Sequence, residues 1–329
     1  MNRTALNAGL AVLALALMTL SLLTGPAGLG PVESIRGLVA GGDDATVLIM
    51  HEIRLPRALL AGLVGFSLGV SGAALQGFLR NPLAEPGIIG VSASAALGAV
   101  LMFYTGIAGA SLLALPAGAL AGAAVCVAVL MAIATARAST ITLILAGVAL
   151  SSLAAALTSL VLNLSPNPFA AYEIIFWLLG SLKDRTMDHV WLALPVMALG
   201  WAALWASTRA LDALTLGEEG AAGLGISMAR TRWLIIGGVA LSVGAATAVT
   251  GAIGFIGLIV PHLIRPLTDR LPGNLLLPSG LGGAALLSAA DIAARSAIAE
   301  RELNVGVVTA LIGAPFFLWL VVRSRREVF

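Results

Sequence analysis

The sequence predicts an all-α polytopic membrane protein, one domain over residues 1–329 with about ten transmembrane helices. Three observations carry that class. Of 329 residues, 59% are hydrophobic and only 10% charged, where a soluble domain carries about 25%. Apolar runs of about 20 residues recur between short polar punctuations, the length that crosses a ~30 Å hydrocarbon core at about 1.5 Å per residue. In the stretch 54–90, Gly62, Gly65, Gly69 and Gly72 fall three, four and three apart. They therefore share one helix face, and a bare face lets another backbone approach closely, which is how helices associate in lipid.

Each element follows from its punctuation. Residues 5–24 read as an uncleaved first span, because the apolar run is long and no A-x-A site follows it. Residues 25–56 hold Glu33, Arg36, Asp43, Asp44, His51, Glu52 and Arg54 and read as a polar extracytoplasmic loop. Span two covers about 57–79. The link RNPLAEP leads into span three (about 87–105), followed by span four (about 110–134) and span five (about 140–162), which NLSPNP stops. In 171–185 the apolar core is too short to cross, so it reads as a re-entrant or interfacial helix. Span six is about 189–206. Residues 208–232 are helical in composition but broken at Gly223 and Gly225, giving two short helices and a turn.

Residues 233–264 carry no charge, and one straight helix of that length would be about 48 Å, too long for the bilayer. Gly251, Gly254, Gly257 and Pro261 offer places to turn, so spans seven (about 233–250) and eight (about 254–267) are expected. Span nine (about 275–297) contains Asp291 and Arg295, four apart and able to pair on one face. Span ten is about 304–322. The motifs GFSLGVSGAALQGF and ALSVGAATAVTGAIGF resemble one another, as internal repeats of transporters do, and as glycine- and alanine-rich helices also do by chance.

Ten spans put both termini on one side. With that side cytoplasmic, eleven basic residues fall inside and seven outside, in agreement with the positive-inside rule. The outer arginines then need explaining. From the residues alone, snorkelling at helix ends is the reading of Arg54, Arg57 and Arg295.

Catalytic patterns are missing. There is no G-x-x-x-x-G-K-[ST], no HExxH and no G-x-S-x-G, and the one lysine, Lys183, lies in GSLKDR, so the chain does not cradle nucleotide phosphates by itself. His51, His189 and His262 are far apart in sequence and fall on differing sides, which argues against a metal centre. Cys126, the one cysteine, excludes disulfides within the chain and reads as a packed membrane thiol. Intramembrane carboxylates are few, so an ion-coupled secondary transporter is the lesser reading and a membrane-embedded enzyme a remote one.

The segments RLPR-x22-RNPLAEPGIIG, LILAGVAL, FWLLGSL, LGEEGAAGLGI, TGAIGFIGLIVPHLIR, ADIAAR and ELNVGVVTALIGAPFFLWLV resemble, in order and over nearly the whole chain, the FecCD family. These are permease subunits of ATP-binding-cassette (ABC) importers for iron-siderophores, haem and cobalamin. The resemblance implies a type II importer fold in the bacterial cytoplasmic (inner) membrane and a second permease copy. It also implies two cytoplasmic ATPase subunits holding ATP and Mg, with no cofactor on this chain, and an extracytoplasmic substrate-binding protein.

By the same resemblance, Arg54, Arg57 and Arg295 match arginines that receive glutamates of the binding protein. Residues 208–232 match the cytoplasmic coupling helices, with Glu218, Glu219, Ala222, Gly223, Leu224, Gly225 and Ile226 meeting the ATPase; a plain solvated loop is the alternative. Asn81, Ser139 and Thr140 lie at cytoplasmic mouths, where the resemblance places the inner gate and ordinary helix capping is an equal reading.

Overall fold

The computed structural model describes residues 2–25, 27–42, 44–109, 111, 113–133, 140–165, 168–297 and 302–325, and every regular element among them is helical. Among the described residues, eight helices are long and apolar enough to cross a membrane, and two shorter apolar ones, Val91–Tyr104 and Ile256–Leu267, bring the set to the ten expected. The chain is a multi-pass membrane protein.

The helices are α1 (Arg3–Leu23), α2 (Pro31–Val39), α3 (Ala45–Leu48), α4 (Leu55–Phe78), α5 (Val91–Tyr104), α6 (Ala114–Ile133), α7 (Thr140–Asn163) and α8 (Pro168–Leu178). They continue with α9 (Met187–Ala206), α10 (Thr208–Ala213), α11 (Gly217–Gly223), α12 (Met228–Thr250), α13 (Ile256–Ile264), α14 (Pro272–Ser296) and α15 (Val305–Arg325). The Asn2 side chain caps α1 by accepting from the Thr4 N–H, and Ser227 caps α12 by accepting from Arg230, each satisfying a donor the helix leaves open.

The stretch 25–56 is more ordered than a polar loop. Residues 31–39 form α2, and from Ala45 the backbone is already helical, passing through a π-turn at Ile49–Arg54 into α4. Polar residues there mark where the helix leaves the hydrocarbon, not where it begins.

The antiparallel pair α4 and α14 forms the axis of the bundle. A side chain on Gly65 would collide with the Gly283 carbonyl, and one on Gly69 with the Ser279 carbonyl. The glycine stripe therefore does what its spacing predicts, bringing two backbones into contact. Gly72 meets Gly257 of α13 in the same way, and Gly62 receives Met18 of α1. In the apolar core of α4, 83% of residues are buried, against 17% in α1 and 22% in α7. Helix α4 is thus central, while α1 and α7 turn leucines outward.

The expected break in residues 233–264 is present: α12 ends at Thr250, and α13 starts at Ile256 after a non-helical link. Cys126 is buried with its thiol toward the Ile89 carbonyl, 3.5 Å away, as a packing residue.

Candidate functional site

The antiparallel register of α4 and α14 puts Arg57, in the first turn of α4, opposite Asp291 near the end of α14. The Arg57 Nε donates to both Asp291 oxygens at 3.0 and 3.2 Å, and Nη2 lies 2.9 Å from Oδ1. Arg295, one turn further along α14, reaches Asp291 Oδ2 at 3.1 Å, the pairing its spacing predicts. The Arg57 Nη1 also approaches Glu302 at 3.3 Å. Asp291 is fully buried and has two guanidiniums as its partners, as a buried carboxylate requires.

Arg295 further donates to the Ser21 and Thr24 carbonyls at 3.3 and 2.9 Å and to Ser21 Oγ at 2.7 Å. Arg54, the last residue of the π-turn, donates to the Leu22 carbonyl at 3.0 Å and to Ser34 Oγ at 3.1 Å. These bonds satisfy carbonyls left open at the end of α1 and tie it to α4 and α14.

The three arginines expected at the outer face do come together, but as a buried cluster: Arg54 is 4% exposed and Arg57 6%. They line a 460 Å³ pocket with Lys183, Asp184 and Glu302 around it. The Arg54 Nη2 is buried and has no hydrogen-bond partner, which leaves one strong donor unused at the pocket.

Residues 208–232, expected to meet the ATPase, lie at the opposite end of the axis. Gly77 at the end of α4 packs on Pro272 and Leu211, and Asp212 of α10 accepts from the Gly273 N–H at 2.7 Å. Helix α11 carries Glu218 and Glu219 in its first turn, where the helix dipole favours them, and Glu218 pairs with Arg232 at 3.6 Å. After Ala222 and Gly223 it closes in a Schellman motif. Ile226 N–H donates to the Ala221 carbonyl, Gly225 N–H donates to the Ala222 carbonyl, and Gly225 takes φ +80°. Leu216 and Leu224 flank α11 and are 68% and 64% exposed.

Of the mouth residues, Asn81 is exposed and its Oδ1 accepts from the Leu83 N–H at 2.9 Å, a local turn bond. Ser139 lies outside the described residues, and Thr140 is the first residue of α7. Sequence reasoning missed Glu302 as the second acceptor of Arg57. It also missed Glu85, whose carboxylate accepts from the Phe255 N–H at the start of α13. An acidic residue inside the apolar PLAEPGIIG stretch was the available signal for Glu85.

The family model described as the FecCD transport family matches residues 13–323. The cobalamin import system permease protein BtuC of Halobacterium salinarum is 42% identical over 288 residues, covering 87% of this chain and 76% of the relative. The vitamin B12 import system permease protein BtuC of Vibrio cholerae is 42% identical over 282 residues, covering 84% of this chain and 83% of the relative. Among solved structures, this chain superposes on one described as an inward-facing conformation of an ABC transporter assigned to the metal-chelate type. The TM-score there is 0.86 at 33% identity, over 97% of this chain and 99% of that one.

Proposed function

We propose a cargo, partners and a working cycle for this chain, which belongs to the FecCD transport family and is the membrane permease subunit of an ABC importer rather than an enzyme. Members of the family work with a separate ATPase that supplies the driving force. The cargo proposed is cobalamin first and an iron chelate, siderophore or haem, second. The order follows the relatives that are 42% identical, whose names state cobalamin import.

The location is the cytoplasmic (inner) membrane, with both termini and residues 208–232 inside. The partners are a second copy of the permease, two ATPase subunits holding ATP and Mg, and an extracytoplasmic binding protein. The observation that carries this arrangement is the separation of two features along the α4–α14 axis: an arginine-lined pocket at one end and a short exposed helix at the other.

The loaded binding protein presents a carboxylate to the pocket, where the free Arg54 Nη2 receives it, with Lys183 beside it and Arg57 and Arg295 behind. Charge-assisted contacts of this kind orient a partner and speed its encounter. ATP binding and hydrolysis then shift α11, with Gly223, Leu224, Gly225 and Ile226 at its tip. Access changes along a path at the dimer axis, lined by small uncharged side chains, with Asn81, Ser139 and Thr140 at its inner mouth.

Burial decides which variant tests docking. Charge reversal at Arg57 or Arg295 breaks the Asp291 network as well, so it does not isolate docking. Arg54→Gln combined with Lys183→Glu leaves that network whole. The double variant is expected to weaken binding-protein association about tenfold or more, roughly one lost charge-assisted contact, with unchanged affinity of the ATPase. Wild-type association would refute the docking role.

A further inference from the structure

At the end of the bundle opposite Asp291, a 260 Å³ pocket lies between the end of α4, the start of α14 and the residues ahead of α11, lined by Gln76, Arg80, Thr215, Arg265, Arg270 and Pro272 among others. Three of its lining residues are arginines, and none is a carboxylate. The nearby acids are engaged elsewhere: Asp212 accepts from the Gly273 N–H, and Asp269 from the Asn274 side chain and the Leu271 N–H. Among the described residues, none of these three arginines makes an ion pair.

Arg80 and Arg270 are exposed and Arg265 is half-buried, and the floor beneath them is fixed. Gln76 is 2% exposed; its amide nitrogen is held by the Gly257 and Leu258 carbonyls, and its Oε1 accepts from Arg265 Nη2 at 2.6 Å. That bond fixes one guanidinium at the pocket. Arg80 and Arg270 adopt φ of +47° and +65°, two of only four non-glycine residues with positive φ among those described. Such a conformation is uncommon for a residue with a side chain and persists where the surrounding structure holds the backbone in place.

We infer that this pocket binds a phosphate-type anion through Arg80, Arg265 and Arg270. Guanidiniums present planar forks that match phosphate oxygens, and basic pockets between helices on the cytoplasmic side of membrane proteins take phospholipid headgroups. The same chemistry serves a soluble phosphate. Gly217, the first residue of α11, lies beside the Arg80 guanidinium, so occupancy bears on the position of residues 208–232. The assignment does not rest on the docking or cargo readings.

The test uses the purified permease with its ATPase. One arm measures equilibrium binding of radiolabelled orthophosphate in detergent. The other measures retention of headgroup-labelled phosphatidylglycerol in phosphatidylcholine nanodiscs. Arg80→Asn with Arg270→Asn removes two charges while keeping a residue type that tolerates positive φ. Arg80→Asn alone serves if the pair fails to fold, and Arg209→Gln is the charge control. Saturable binding in either arm, weakened about tenfold or more by the asparagine variants and unchanged in the control, supports the site and identifies its source. No saturable binding in either arm, or equal binding by wild type and variants, overturns it. Loss of the ATPase from the variants with no phosphate bound by wild type also overturns it, because the pocket then receives a protein carboxylate.

Discussion

Replacing Asp291 with Asn probes the part of the structure most dependent on charge. Asp291 is fully buried and accepts from Arg57 at 2.9–3.2 Å and from Arg295 at 3.1 Å. Removing its charge leaves both guanidiniums buried, with Glu302 at 3.3 Å as the one remaining carboxylate partner of Arg57 among the described residues. Breaking a buried ion pair from one side costs about 3–5 kcal/mol, mostly the penalty of the stranded partner. Asp291→Asn should therefore lower stability in mixed-micelle equilibrium unfolding by about that amount. Arg57→Gln should be destabilising too, but the double variant should cost less than the sum, with a coupling of about 1–3 kcal/mol. Additive losses, or a single-variant loss below about 0.5 kcal/mol, would refute the claim that Asp291 holds the two arginines together.

Two further predictions concern the other features. Gly69→Leu drives a side chain into the Ser279 carbonyl, so it should separate α4 from α14 and cost about 3 kcal/mol or more; the same unfolding assay checks it, and wild-type stability would contradict the backbone contact. Gly223→Arg with Leu224→Glu should abolish co-purification of the ATPase or uncouple hydrolysis from transport while leaving the fold intact. Retained complex with normal transport would refute the role of that turn.

Much of this architecture was legible because membrane helices announce themselves by length and composition. The ten spans, the break inside 233–264, the glycine face of α4 and the Asp291–Arg295 spacing all follow from local patterns. What could not be read locally is pairing over distance. Arg57 finds Asp291 across 234 positions in sequence, and only the antiparallel register of α4 and α14 brings them together. Arg54 and Arg57 were legible as out of place, yet not as buried: hydropathy distinguishes lipid from water and says nothing about a polar interior. For the same reason, the helical turns from Ala45 to Arg54 read as loop, since their polar residues lie beyond the hydrocarbon while the backbone stays helical. Glu85 escaped notice because one acid in a short link looks like punctuation, whereas here it holds the start of α13.

The measurement that bears most directly on the central claim is uptake of radiolabelled cobalamin into proteoliposomes containing this permease, with its ATPase and the loaded binding protein supplied. The account predicts uptake that requires ATP, the ATPase and the binding protein together, and is indifferent to an imposed proton or sodium gradient. Uptake driven by such a gradient with the ATPase omitted would contradict it, and would instead make the chain a secondary transporter working alone.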